Sequence, residues 1–315
     1  MLSRTADHVY WLGRYAERAE NLARMLDVQY TLSLLPHNTE AIERDWRLTL
    51  DALRLEDAYT ARHDEFAQHK VVDFLAFDRQ NPTSIVNCLR AARENARAVR
   101  GSITSEIWEV FNATWLETRA YVPSRFSARN VAECVEWVKY RAHVARGAVL
   151  GSMLRDEAYH FMQLGTFLER TDAVARMLRV GLARSSTFDD EAAGADFHPW
   201  SVLLRSLSAF EIFRRVSRDR VTPLRVVEFM VFRDDVPRSV YRSMKQVYDN
   251  LRDVANDVSG ETQRRAGEFH ALLRYGRFDT VVAGGLVAFL DDVLARTADL
   301  SDRIGRDFLG HSAGE

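Results

Sequence analysis

Cysteine is nearly missing: Cys88 and Cys134 are the only two in 315 residues. That excludes a disulfide-stapled scaffold, and no Cys-x-x-Cys pair is present to hold zinc. Six prolines and fifteen glycines are too few for the many turns of an all-β sandwich. A spanning or export segment is also lacking. The first twenty residues carry Arg4, Asp7, Arg14, Glu17, Arg18 and Glu20, and the longest apolar run, Val281 to Leu290, is about half the roughly 20 residues a membrane helix needs. Neither sign of charge dominates, with 43 basic and 45 acidic side chains and a net charge of −2. This argues against a generally basic nucleic-acid binder and an acidic disordered tail. These absences together predict a cytoplasmic protein with reduced thiols, no membrane partner and no nucleic-acid partner. Lysine is scarce too, so forty of the 43 basic residues are arginine. A GC-rich genome accounts for such a bias; the functional alternative is bidentate binding of carboxylate or phosphate, which lysine cannot perform.

What is present repeats. Sliding the chain by 152 residues aligns Met1–Leu26 with Met153–Leu178, and twelve of the 26 pairs are identical. They include His8/His160, Leu12/Leu164, Gly13/Gly165, Glu17/Glu169, Arg18/Arg170 and Arg24/Arg176. Further on the shift drifts to 154 at Trp46/Trp200 and to 155 at Pro82/Pro237 and Ser84/Ser239, then returns to 152 at Phe126/Phe278 and Trp137/Phe289. This predicts a duplication, with repeat 1 over 1–152 and repeat 2 over 153–315. No Gly-, Ser- or Pro-rich linker separates them, and helical character continues through Gly147, Gly151 and Met153. The expected fold is therefore all-α, an internally duplicated helical bundle with pseudo-twofold symmetry whose halves share one core.

Each half reads as helical. Val9, Leu12, Ala16, Ala19, Ala23 and Leu26 recur at the spacing of an apolar helix face, with Ser3 or Thr5 as candidate caps and Pro36 as terminator. A second helix is predicted from about Trp46 to Arg62. After the apolar stretch Val71–Phe77, Asn81-Pro82 is expected to open a long third helix that runs toward Asn112 with a bend near Gly101. A fourth covers about Ala128 to Leu150. The counterparts are Met153–Ala183, Trp200–Arg218, Pro237–Arg274 and Asp279–Phe308. Segments 36–45 and 184–199 are the matching loops, the latter expected to be the more mobile, and Gly284-Gly285 is read as close helix packing.

Three constellations could carry chemistry. The first is the recurring Glu-Arg pair, Glu17-Arg18 and Glu169-Arg170. Adjacent helical residues point about 100° apart, so Glu17 is expected to reach Arg14 or Asn21 while Arg18 aims at another helix. Glu20–Arg24 and Asp172–Arg176 are i,i+4 pairs of favourable sense. Two readings stand side by side: buried ion pairs that lock helices together, where breaking one costs about 3–5 kcal/mol, or a polar pocket that holds a substrate carboxylate, amine or phosphate. The second constellation is Arg93, Glu94, Asn95 and Arg97 with Glu106, where two like charges four apart invite an anion, or simply form a solvated face. Asn95 and Asn250 are poor mid-helix residues whose recurrence suggests a hydrogen-bonded network. The third is Arg155 within Met153–Glu157, expected to point into the same interface. His8 and His160 are read as packed, hydrogen-bonded histidines, and the buried-looking cysteines as unreactive. No metal or cofactor is expected: His-Glu-x-x-His spacing, a Walker loop, Gly-x-Gly-x-x-Gly and Gly-x-Ser-x-Gly are all absent.

The stretches Met1–Ala6, Tyr10-Trp11-Leu12-Gly13-Arg14-Tyr15-Ala16-Glu17-Arg18-Ala19-Glu20, Phe74–Val86, Ala91–Arg97, Ser105–Trp108 and Leu154–Glu157 resemble the bacterial alpha-E family, and so do Leu164-Gly165 and Leu168-Glu169-Arg170. That family is named for an all-helical domain with a Glu-Arg motif, and the resemblance covers most of the chain. Thr166 stands where the family often has a second arginine like Arg14, and Arg233-Asp234-Asp235-Val236 is an altered version of its aspartate-led turn. Both departures put a symmetric two-site mechanism in doubt. The resemblance implies a circularly permuted ATP-grasp protein as partner, with a transglutaminase-like protein nearby, hence amide- or peptide-bond formation on a small or peptidic substrate. The expected role is an accessory or catalytic partner of that ligase, with candidate binding residues Arg14, Glu17, Arg18, Arg93, Glu94, Asn95, Arg97, Glu106, Arg155, Glu169 and Arg170. The alternative is a non-catalytic helical scaffold whose Glu-Arg pairs are structural.

Overall fold

A computed structural model describes residues 1–34, 39–121, 130–185, 197–217 and 220–310. Among them the chain is all-α, with fifteen helices and no strand. The first set is α1 (Ser3–Ser33), α2 (Thr39–Ala52), α3 (Glu56–Thr60), α4 (Gln68–Ala76), α5 (Ile85–Ala98), α6 (Ser105–Tyr121) and α7 (Val131–Ser152). The second is α8 (Glu157–Arg184), α9 (Phe197–Ser206), α10 (Phe210–Val216), α11 (Pro223–Phe232), α12 (Val240–Asp253), α13 (Gly260–Tyr275), α14 (Phe278–Gly284) and α15 (Leu286–Phe308). No helix among the described residues is long and apolar enough to cross a membrane.

The two longest helices, α1 and α8, cross at the centre and make the most extensive helix–helix contact among the described residues. Val9, Leu12, Ala19, Ala23 and Leu26 are buried on α1, as their spacing requires. Two glycines set how closely the helices approach. A methyl group at Gly13 would overlap the Met162 carbonyl oxygen, and one at Gly165 would overlap the Tyr10 carbonyl oxygen. Only residues without a Cβ let backbone meet backbone in this way. Around the crossing, α5 and α7 pack on α1, while α12 and α15 pack on α8. One apolar cluster runs from Ala6 to Leu309, and a second gathers residues between Ala19 and Val138.

Helix boundaries differ from the sequence reading in ways local chemistry explains. No side chain caps α1, which begins after Leu2, so Ser3 and Thr5 lie inside it. The helix expected over Trp46–Arg62 is broken into α2 and α3 by Arg54, whose φ of 58° is left-handed. The apolar stretch Val71–Phe77 forms the end of a helix, α4, with Phe77 as its C-cap. Asn81 does not cap the third helix; it folds a turn, donating to the Phe74 carbonyl (2.9 Å) and accepting from Thr83 N (3.0 Å). Ser84 caps α5 instead, and Ser239 caps α12 in the same way. The long third helix is interrupted at 99–104, and its counterpart over Pro237–Arg274 at 254–259. The segment over Trp200–Arg218 divides at Ser208, whose φ is 54°. Helix does not continue from α7 into α8, because Met153 is extended and Asp156 caps a new start, accepting from Tyr159 N at 3.2 Å. Gly284 and Gly285 pack against nothing; Gly285, at φ 94°, ends α14. Pro36, Phe126, Ala128, Arg218 and most of segment 184–199 lie outside the described residues.

Gly13→Ala and Gly165→Ala should each destabilise the protein by about 1–3 kcal/mol, the usual cost of overpacking, or more where backbone must shift. Gly147→Ala, with open space around it, should stabilise by up to about 1 kcal/mol as a helix-interior replacement. Urea unfolding of the three variants checks the contrast, and equal effects at all three sites would contradict the backbone contact.

Candidate functional site

Each central helix places a carboxylate one turn beyond its glycine, on the same face, and the acid reaches across to the other helix. Glu169 on α8 accepts from Arg14 Nε (2.6 Å), Arg18 Nε (2.6 Å) and Arg18 Nη2 (2.9 Å), all from α1. Arg14 Nη1 continues to the Tyr10 hydroxyl (2.9 Å) and to Ser301 Oγ on α15 (2.8 Å). In the opposite sense, Arg170 on α8 donates Nε and Nη2 to Glu17 on α1 at 2.8 and 2.7 Å. Glu17 therefore pairs across the crossing; its expected neighbour Arg14 is taken by Glu169, because the close approach of α1 and α8 makes inter-helix partners nearer than those on its own helix. Arg18 reaches another helix as its spacing predicts.

Beyond these pairs the two sides of the crossing diverge. On the Glu17 side Glu20 joins in, accepting from Arg24 Nη2 (2.7 Å), from Arg146 Nη2 on α7 (2.5 Å) and from Arg238, just ahead of α12. Arg238 Nη1 also donates to Glu17 at 3.1 Å. Glu17, Glu20, Arg24, Arg170 and Arg238 are all buried. On the Glu169 side, Asp172 accepts from Arg176 Nε (2.5 Å) and Nη2 (2.9 Å). Arg14, Arg18, Asn21, Glu169, Asp172 and Ser301 instead line a cleft of about 370 Å³. Where the first side has Arg238 and Arg146, this one has Thr83 and Ala298, 155 residues before and 152 after, both at the cleft wall. The Asn21 amide nitrogen is buried in this wall without a hydrogen-bond partner among the described residues.

Electrostatics keep the acids ionised. Burial opposes the charge on Glu169, yet Arg18 and Arg14 hold its carboxyl down at about 2. Burial likewise opposes Glu17, and Arg170, Arg238 and Arg146 hold it well below the carboxylate range. Both thiols are pushed the other way, since burial raises Cys88 and Cys134 to about 12.

The remaining candidates lie in neither cleft. Arg93 and Arg97 both bind Glu94, at 2.5 and 2.8 Å, so their like charges are relieved by a carboxylate between them. Asn95 Oδ1 accepts from His8 Nδ1 (2.8 Å) and its Nδ2 donates to the Ala91 carbonyl; Asn250 does the same with His160 (2.8 Å) and the Gln246 carbonyl. Those mid-helix asparagines thus tie α5 to α1 and α12 to α8. Glu106 and Arg155 are exposed, and Arg155 stacks over Tyr159 rather than entering the interface. Arg146, Arg238, Asn21 and Ser301 were missed as site residues. Arg238 could have been found, because the Pro82/Pro237 alignment sets it against Thr83. No cluster of three or more metal-ligating side chains occurs among the described residues.

A helical protein centred on reciprocal Glu-Arg pairs is the class that fold and site define. The chain belongs to the alpha-E family, described as a predicted alpha-helical domain with a conserved ER motif, whose family model matches residues 1–309. Relatives at 25% identity over 315 residues are uncharacterized proteins of Mycobacterium bovis and Mycobacterium tuberculosis. The match covers 93% of this chain and 35% of each relative, so the chain spans about a third of their length. No solved structure matches.

The depressed carboxylates make stability depend on acid. Unfolded glutamates titrate near 4.3, so the ion pairs stabilise fully above that value and lose their contribution as pH falls toward the folded value of about 2 for Glu169. Glu17→Gln leaves buried guanidiniums uncompensated and should cost about 3–5 kcal/mol, with a shallower acid transition than the wild type. Denaturant unfolding between pH 6 and pH 2 measures both, and an unchanged midpoint for Glu17→Gln would remove the pairing from the stability account.

Proposed function

We propose that the chain is a duplicated unit of two repeats, 1–152 and 153–315, packed about a pseudo-twofold axis, that binds substrate for an ATP-grasp ligase. Matched features support the duplication. The Glu17–Arg170 and Glu169–Arg18 pairs exchange under a shift of 152, as do the two glycine contacts, and the His8–Asn95 and His160–Asn250 bonds correspond at shifts of 152 for histidine and 155 for asparagine. Arg24 donates to the Ser206 carbonyl and Arg176 to the Ala52 carbonyl, so each repeat caps the end of a helix in the other.

The Arg14–Arg18–Glu169 cleft carries the functional reading. Arg14 and Arg18 present guanidinium donors there, in a wall where Glu169, Asp172 and Asp302 balance them and Arg176, and Asn21 with its unpartnered amide nitrogen belongs to the same wall. This chemistry suits the carboxylate or carbonyl of a small or peptidic substrate. Family membership supports a circularly permuted ATP-grasp protein, and a transglutaminase-like one beside it, as partners. For the carboxylates of the Glu17–Glu20 cluster the observations favour the structural reading, since four arginines consume them.

The full chain should co-elute with the circularly permuted ATP-grasp protein at roughly micromolar concentration, about 8 kcal/mol of association free energy. Arg18→Ala should keep its helical circular dichroism and lower amide-product formation by that pair roughly tenfold, the loss of one charge-assisted contact. Failure to associate, together with undiminished product from Arg18→Ala, would refute the reading.

A further inference from the structure

The surplus of guanidinium on the Glu17 side opens onto a pocket of its own. About 200 Å³ in volume, it is lined by Arg24, Arg146, Arg170 and Arg238 with His143 and Ser208, and no carboxylate-bearing residue is part of the wall. At about 30 Å³ per water, that is room for roughly six waters, enough for a tetrahedral oxyanion and part of the molecule that bears it.

The charge on this wall is unbalanced. Glu17 and Glu20 are the only carboxylates that ion-pair with the four arginines among the described residues. Four guanidiniums against two carboxylates leave two positive charges over. Twenty N–H donors also exceed the roughly eight bonds that two carboxylates accept. The Ser206 carbonyl and Ser208 hydroxyl take only part of the remainder, both from Arg24. Burial lowers Arg238 to about 10; Glu17 and Glu20 pull the other way, and the neighbouring charges of Arg170 and Arg24 depress it further. A buried cationic surplus of this kind is costly unless something negative answers it. Arg146 is 31% exposed in its side chain and donates to His143 Nδ1 at 3.2 Å, so the pocket has a wet mouth at these two residues.

We propose that the Arg24–Arg146–Arg170–Arg238 pocket binds a phosphate group, as inorganic phosphate or a phosphomonoester. Two surplus charges match the charge of about −2 on a phosphate near neutral pH, whereas a carboxylate would leave one unanswered. The planar forks of Arg146 and Arg238 reach the site from α7 and from the turn before α12, two elements beyond the central crossing. The cleft on the other side of the crossing has Ala298 and Thr83 at those positions and lacks the surplus. Phosphate binding is thus a property of one side, distinct from the substrate cleft proposed above.

Titration of the full chain with inorganic phosphate at constant ionic strength, read by calorimetry and by the His143 imidazole resonances, tests this. Saturable one-to-one binding is expected, with an upward move of the His143 pKa: burial lowers it most, Glu20 raises it, and the bound anion offsets the Arg146, Arg24 and Arg238 charges that lower it further. Arg146→Ala, at the partly exposed rim, should keep its helical circular dichroism and weaken binding by roughly tenfold or more. Acetate should bind far more weakly. No saturable binding, acetate binding as well as phosphate, or a loss caused by Arg18→Ala but not by Arg146→Ala would each overturn the assignment.

Discussion

Backbone contact between α1 and α8, permitted by Gly13 and Gly165, is the constraint on which the rest of the structure depends. Helices whose side chains separate them sit 8–10 Å apart; here carbonyl oxygens face bare Cα atoms. That approach brings Glu17 and Glu169, each four residues past its glycine, within reach of the opposite helix. Carboxylates so placed are cut off from water, and an isolated buried charge is untenable. Each therefore needs more than one guanidinium, preferably in the forked geometry that arginine alone supplies. The arginine-for-lysine bias of the sequence finds part of its physical reason at this crossing: Arg14, Arg18, Arg24, Arg170, Arg176 and Arg238 all hold a carboxylate there.

From this common frame two unlike clefts are built by few changes. Thr83 against Arg238 and Ala298 against Arg146 decide whether a wall is empty or filled with guanidinium. Arg14 against Thr166 decides which carboxylate acquires a second partner from the central helices themselves, since Thr166 turns back to its own helix at the Met162 carbonyl (2.9 Å). Both clefts keep their central pair, because losing it would leave a buried charge unanswered on either side. Variation is confined to the outer positions, where a side chain can be exchanged without orphaning Glu17 or Glu169. A scaffold of this kind can hold one site fixed while its counterpart changes specificity.

Much of the fold was legible in the sequence, because apolar periodicity and burial are the same fact seen twice. The face of α1 from Val9 to Leu26 is one such case, and Trp46 and Trp200, both buried, are another. Helix breaks were less legible. Arg54 and Ser208 take left-handed φ without being glycine, and Asn81 is spent on a turn with Phe74 and Thr83, which leaves Ser84 to cap α5. At the site, the Glu-Arg pairs were visible as recurrences, yet their partners were not. A reading along one helix connects Glu17 to Arg14 and Asn21, whereas the true partners lie 153 and 221 residues away. Arg146 was hidden for a related reason: on α7 it looks like an ordinary exposed charge, and only the approach of α1 gives it Glu20 as a partner.

The protonation states restrict what these groups can contribute to chemistry. An effective general base has a pKa near the working pH, and the arginines hold Glu17 and Glu169 far below it. The thiols of Cys88 and Cys134, at about 12, are equally far above. Neither set exchanges protons near neutrality. The central carboxylates and guanidiniums therefore act as fixed charges, able to bind, orient and neutralise, and their value lies in geometry that does not relax when a ligand arrives. Proton transfers near neutrality would have to come from groups outside this crossing, which supplies a preorganised field of fixed charge.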